Sequence, residues 1–158
     1  MHFALIAALL GLLLMLFSLT MLVPIVFALW FGESTTLLFL SAFALTSITG
    51  AILWLPNRHS RASLRTRDGF LITSLFWLVL GAFGAIPLFL SDTLSLSLTD
   101  AVFESVSGLT TTGATVITGL DDLPKSILYY RQQLQWLGGI GIIVIAIAIL
   151  PMLGIGGM

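Results

Sequence analysis

The sequence predicts an all-α polytopic membrane protein: four transmembrane helices, plus a re-entrant half-helix that returns through an extended loop. Three observations carry that prediction. Of 158 residues, 58% are apolar and 8% are charged, against roughly 45–50% and about 25% in an ordinary soluble domain. Four apolar runs reach the roughly 20 residues that a helix needs to cross a 30 Å hydrocarbon core. Between the third and fourth runs lies a shorter apolar pattern, about half the length of a span.

The first run, 3–31, carries no charge, and its only polar or breaking residues are Ser18, Thr20 and Pro24. It spans with length to spare and is expected to tilt. A signal peptide is the rival reading, but the start of the chain lacks Lys and Arg and no A-x-A site closes a core of the usual size. The second run is 37–55 and the third is 70–90, which ends at Ser91-Asp92. The fourth is 127–150, with Arg131, Gln132, Gln133 and Gln135 in its first turns, where they are expected near the interface. The chain therefore divides into two amino-terminal helices (1–56), a basic loop (57–69) and a helix–loop–helix unit (70–158).

Four of the six basic residues, Arg58, Arg61, Arg65 and Arg67, fall in that loop. Positive charge marks cytoplasmic loops, so the amino terminus is expected in the cytoplasm and the stretch 91–125 outside.

Inside that outer stretch, Leu96, Leu98, Ala101, Val102, Phe103, Val106 and Leu109 read as a short amphipathic helix. Ser97 is a candidate N-cap, with Asp100 three residues on able to reach back to the cap backbone. A helix from about 98 to 107 would stop at Gly108, giving a unit over about 98–108. At about 1.5 Å per residue it reaches half a bilayer, so the chain must return to the side it entered from. The return, Leu109-Thr110-Thr111-Thr112-Gly113-Ala114-Thr115-Val116-Ile117-Thr118-Gly119, is a poor helix former. Irregular backbone at membrane depth is tolerated where it is buried by protein or lines a watery cavity. An extended strand of this kind can present carbonyl oxygens to a dehydrated cation, and Gly113 relaxes the torsions required. The rival reading is a plain outer loop on a non-transporting membrane fragment or assembly protein.

Glu104 inside the short helix is expected to tie down the loop backbone, and Arg131 to pair with a carboxylate of the same rim. Asp121, Asp122 and Lys125 read as a solvated turn, with Pro124 at the first position of the fourth helix. The glycines 138, 139 and 141, and 154, 156 and 157, fit close helix packing better than a dinucleotide fingerprint.

Several functions are excluded. A net charge of −1 offers no basic surface for nucleic acid. There is no Cys for disulfides or thiol chemistry. Ser105 and Ser107 lack a nucleophile elbow, and neither His2 nor His59 is placed as their base, so no enzyme is expected.

Phe103-Glu104-Ser105-Val106-Ser107-Gly108-Leu109-Thr110-Thr111-Thr112-Gly113-Ala114-Thr115, then Leu123-Pro124-Lys125-Ser126-Ile127-Leu128, then Gln135-Trp136-Leu137-Gly138-Gly139-Ile140-Gly141-Ile142-Ile143-Val144, closely resemble the amino-terminal part of the Trk-type potassium uptake proteins of the Trk/Ktr/HKT superfamily. The likeness runs the length of the chain, because that bacterial subfamily also places two extra helices before its first pore unit.

The resemblance implies potassium (K+) uptake across the bacterial inner membrane, through a filter of four linked helix–loop–helix repeats. Carried over to this chain, the filter carbonyls fall on Thr111 and Thr112, with Gly113 as the filter glycine and Thr110 at the inner edge, over about 110–115. The implied partners are membrane lipid, three further repeats or further copies of the chain, a second transporter copy in a homodimer, and a cytoplasmic nucleotide-binding regulatory subunit. K+ is the implied cargo, with no other cofactor. One repeat cannot surround an ion, so the chain is expected to be an amino-terminal piece of a longer transporter.

Overall fold

The computed structural model describes residues 3–58 and 66–149. His2, His59, Arg61, Arg65, the glycines 154, 156 and 157 and the expected end of the fourth run at Leu150 lie outside the described residues. Within them the chain is helical and has no strand. The helices are α1 (Phe3–Thr20), α2 (Val23–Phe31), α3 (Thr36–Trp54), α4 (Thr66–Gly84), α5 (Ile86–Phe89), α6 (Leu98–Leu109) and α7 (Lys125–Ile149), with 3-10 turns at Leu55–Asn57 and Leu120–Asp122. Among the described residues, three stretches are both long and apolar enough to cross a bilayer: Phe3–Phe31, Thr36–Asn57 and Gly69–Phe89. The fourth expected span is α7, whose 25 residues rise about 37 Å.

The first run is not one tilted helix. Pro24 has no N–H to give the Thr20 carbonyl one turn back, and the chain breaks at Met21-Leu22 into α1 and α2. In lipid an abandoned carbonyl must find a donor elsewhere. It finds one on α7, where Gln133 Nε2 donates to the Thr20 carbonyl at 2.8 Å. The third run also breaks near a proline, Pro87, into α4 and α5, and the Tyr130 hydroxyl of α7 donates to the Gly84 carbonyl at the end of α4 at 2.9 Å. Gln133 and Tyr130 are buried, 8% and 1% exposed. Gln133 is therefore enclosed by protein, where it completes a neighbour's broken ladder.

α1 and α3 form a hairpin that closes through two glycines. A Cβ on Gly11 would stand 2.5 Å from the Gly50 carbonyl oxygen, and one on Gly50 2.7 Å from that of Gly11. Such backbone approach gives van der Waals packing where lipid removes the hydrophobic push between helices. α2 lies against α7, with Phe27 stacked on Tyr129 at 4.2 Å between ring centroids. α6 wedges between α4 and α7, and its Leu109 joins Phe39, Leu88, Ile127, Tyr130 and Leu134 in the buried core.

Candidate functional site

α6 starts where its residues dictate. The Ser97 hydroxyl accepts from the Asp100 amide at 3.2 Å and lies 2.7 Å from Asp100 Oδ2, to which it donates. The carboxylate thus reaches the cap side chain, where the sequence suggested the cap backbone. Gly108 does not end the helix, which runs on to Leu109. Gly108 is there for packing: a Cβ would meet that of Leu134 at 3.1 Å. Gly138, also on α7, stands closer still, since its Cβ would lie 1.9 Å from the Leu109 carbonyl oxygen. The two glycines seat the end of α6 directly on α7.

From that seat the chain turns out of the helix in a compact set of bonds. The amide of Thr110 donates to the Val106 carbonyl at 2.8 Å, that of Thr111 to Gly108 at 2.9 Å, and that of Thr112 to Ser107 at 3.0 Å. The Ser107 hydroxyl crosses the turn to the Ala114 carbonyl at 2.7 Å, and the Thr110 and Thr112 hydroxyls pair at 2.8 Å. Thr111 takes φ 57° and Gly113 φ 74°. Left-handed torsion is ordinary for glycine and strained for a β-branched residue, costing on the order of 1–3 kcal/mol; the surrounding bonds hold Thr111 there. Among the described residues, no hydrogen bond reaches the carbonyl oxygens of Thr110, Thr111, Thr112 or Gly113. These four residues are exposed along one continuous stretch.

The far side of the loop is anchored by Glu104. Its Oε1 accepts from the Thr115 hydroxyl, from the Val116 amide at 2.6 Å and from the Ile117 amide at 3.3 Å. Its Oε2 meets Arg131 Nη2 at 3.2 Å in an ion pair whose side chains are 3% and 10% exposed. The same Nη2 lies 3.1 Å from Thr115 Oγ1. Both expectations for these residues hold: the carboxylate ties down the backbone, and the guanidinium pairs with it. Thr115 as the hinge of this cluster was not singled out, because a threonine in a Thr-rich run carries no signal of its own. Ser107, set aside above as a nucleophile, is a clamp.

The outer turn before α7 holds a second anchor. Glu33, from the α2–α3 turn, accepts from the Lys125 amide at 2.5 Å through Oε1, and through Oε2 from the Ser126 amide at 3.1 Å and the Ser126 hydroxyl at 2.5 Å. It caps the start of α7 from 92 residues away in sequence. Pro124 precedes the first helical residue rather than occupying it. Asp121, Asp122 and Lys125 are exposed, as a solvated turn requires.

A half-length helix thus delivers its negative end to a loop whose four carbonyls accept no hydrogen bond among the described residues, braced by a buried ion pair behind it. That arrangement can hold a cation.

The TrkH family model, described as "Cation transport protein", matches residues 36–158. The chain is 63% identical, over its whole length, to the Trk system potassium uptake protein TrkH of Halomonas elongata, and 53% identical to that of Escherichia coli K12; it covers 33% of each. It is similar in structure to the potassium transporter TrkH from Vibrio parahaemolyticus, with a TM-score of 0.94 and 56% identity, over 100% of this chain and 34% of that one. The chain spans about a third of the length of these relatives.

Proposed function

This chain belongs to the TrkH family of cation transport proteins, and on that premise we propose that it takes part in potassium uptake across a bacterial inner membrane, supplying one of four strands of the filter. The single observation that carries this reading is the stretch Thr110–Gly113: four carbonyls that accept no hydrogen bond among the described residues, in a backbone with left-handed torsions at Thr111 and Gly113. A potassium ion leaving water must exchange its hydration shell for oxygens of comparable dipole, and backbone carbonyls provide them. Thr111 and Thr112 are the coordinating residues in this proposal, Gly113 is the filter glycine and Thr110 lies at the inner edge. The C-terminal end of α6, with its partial negative charge, favours a cation at the same place.

One strand forms one side of an ion's shell, so three further repeats, or further copies, close the ring. The basic loop sets the amino terminus in the cytoplasm and opens the filter to the outside. A second transporter copy and a cytoplasmic nucleotide-binding regulator are the partners that this reading adds. The unit boundaries follow: two leading helices over 1–56, a loop over 57–69, and the repeat over 70–158.

The test is potassium-limited growth of an uptake-deficient bacterium. The chain is expressed alone and together with the three further repeats as a separate polypeptide, each with and without Gly113→Asp. Rescue that disappears with Gly113→Asp is the expected result. Rescue indifferent to Gly113→Asp, or none in either setting with expression confirmed, refutes the proposal.

A further inference from the structure

Hydroxyls on these helices commonly serve their own turn. Ser18, Ser41, Thr49, Thr73 and Ser74 each donate to a backbone carbonyl three or four residues back, the local bond open to any Ser or Thr in a helix. Ser107 forgoes it. Its hydroxyl reaches forward seven residues to the Ala114 carbonyl at 2.7 Å, across the loop that holds the carbonyls of residues 110–113. Its own carbonyl accepts from the Thr112 amide at 3.0 Å and from the Gly113 amide at 3.4 Å. One buried residue thus holds three consecutive positions of the loop.

The forward bond decides where the file of carbonyls ends. The oxygens of Thr110, Thr111, Thr112 and Gly113 accept no hydrogen bond among the described residues, and the next one, that of Ala114, is taken by Ser107. Ala114 is exposed along the same stretch, so without the hydroxyl its carbonyl would be free to join the other four. The bond also ties the two ends of the loop together and so limits how far the oxygens between them can move. Selection among alkali cations depends on how many oxygens are offered and on how closely they can gather around the ion. Ser107 bears on both. We propose that Ser107 is a positioning residue that sets the cation preference of the loop, by keeping the Ala114 carbonyl out of the file and by holding the loop too open to close around sodium. The proposal rests on the filter reading; Ser107 touches no ion itself and acts through Ala114 and Gly113.

Ser105 provides an internal comparison. It lies two residues earlier on α6 and is also buried, but it points about 200° around the helix. There it faces α4, where a Cβ on Gly84 would stand 2.5 Å from its Oγ, and its hydroxyl has no hydrogen-bond partner among the described residues. A packing role would fall on both serines, whereas a role in cation preference falls on Ser107 alone.

The test measures potassium uptake and its inhibition by sodium in the uptake-deficient bacterium, with the chain expressed together with the three further repeats. Ser107→Ala should lower the sodium concentration that halves potassium uptake by about three- to tenfold, the factor that one hydrogen bond sets. Ser107→Cys fills the same space with a weak donor and should follow Ser107→Ala. Ser105→Ala should leave sodium inhibition as it was. Sodium inhibition that is unchanged or weaker in Ser107→Ala, or an equal shift in Ser105→Ala, overturns the proposal. So does the complete loss of uptake in both Ser107→Ala and Ser107→Cys, the mark of a purely structural role. Gly113→Asp separates this inference from the filter reading. Where Gly113→Asp abolishes uptake the filter stands, and any of those failures falls on Ser107 alone; uptake indifferent to Gly113→Asp refutes both together.

Discussion

The ion pair behind the loop makes a quantitative prediction. Arg131→Met removes the guanidinium and leaves a carboxylate that is 3% exposed, held by neutral donors alone. Glu104→Gln leaves the guanidinium, 10% exposed, without a counter-charge. Removing one partner of a buried pair costs about 3–5 kcal/mol, because the survivor is an uncompensated charge in a dry site. The double variant Glu104→Gln, Arg131→Met buries no charge at all, and its amide oxygen can still accept from the Val116 and Ile117 amides, which now hold Glu104 Oε1 at 2.6 and 3.3 Å. Its cost should therefore fall short of the sum of the singles by about 2–3 kcal/mol, the upper part of the range for residues in one network. Unfolding titrations in sodium dodecyl sulfate on the three variants and the unmodified protein measure this coupling. Additivity to within about 0.5 kcal/mol, the behaviour of independent sites, would refute the argument that the two charges are buried together.

Three further outcomes follow from named contacts. Gly138→Ala forces a Cβ to within 1.9 Å of the Leu109 carbonyl oxygen, whereas Gly139→Ala meets only Thr111 Cγ2 at 3.9 Å. The first should destabilise by about 1–3 kcal/mol or more and abolish potassium-dependent growth, and the second should be silent in both assays. Gln133→Leu leaves the Thr20 carbonyl without its 2.8 Å donor, a loss of about 1–3 kcal/mol that the same titration reads. Glu33→Ala uncaps α7 and should cost about 1 kcal/mol, with faster amide exchange at Lys125 and Ser126 as its specific signature.

The apolar runs, the Ser97 cap and the roles of Glu104 and Arg131 were legible in the sequence because each rests on local spacing or on the high cost of burying charge. The misses have a common origin. Pro24 was visible as a breaker, but its remedy, Gln133, lies 113 residues from the carbonyl it serves, and nothing in either segment names the other. Glu33 carries no local signal, because its partners are 92 and 93 residues away. Gly108 followed a helix as a stop signal does, and only the neighbouring Leu134 shows that its missing side chain is a matter of space. Thr111 was legible as part of the loop, but its positive φ was not, since threonine is among the residues least suited to it.

The polar opening of α7 shows why composition misleads here. Tyr130, Arg131 and Gln133 project at about 0°, 100° and −60° around a helix with 3.6 residues per turn, so they fan over about 160° and reach separate neighbours. Each meets a different element: Tyr130 the Gly84 carbonyl at the end of α4, Arg131 the Glu104 carboxylate of α6, and Gln133 the Thr20 carbonyl at the end of α1. Polar groups are tolerated at membrane depth where protein surrounds them and supplies partners. The residues that made this run the least apolar of the four are thus the ones that tie it to three neighbouring elements. The break at Pro24 is completed, and the re-entrant loop braced, by donors that α7 carries.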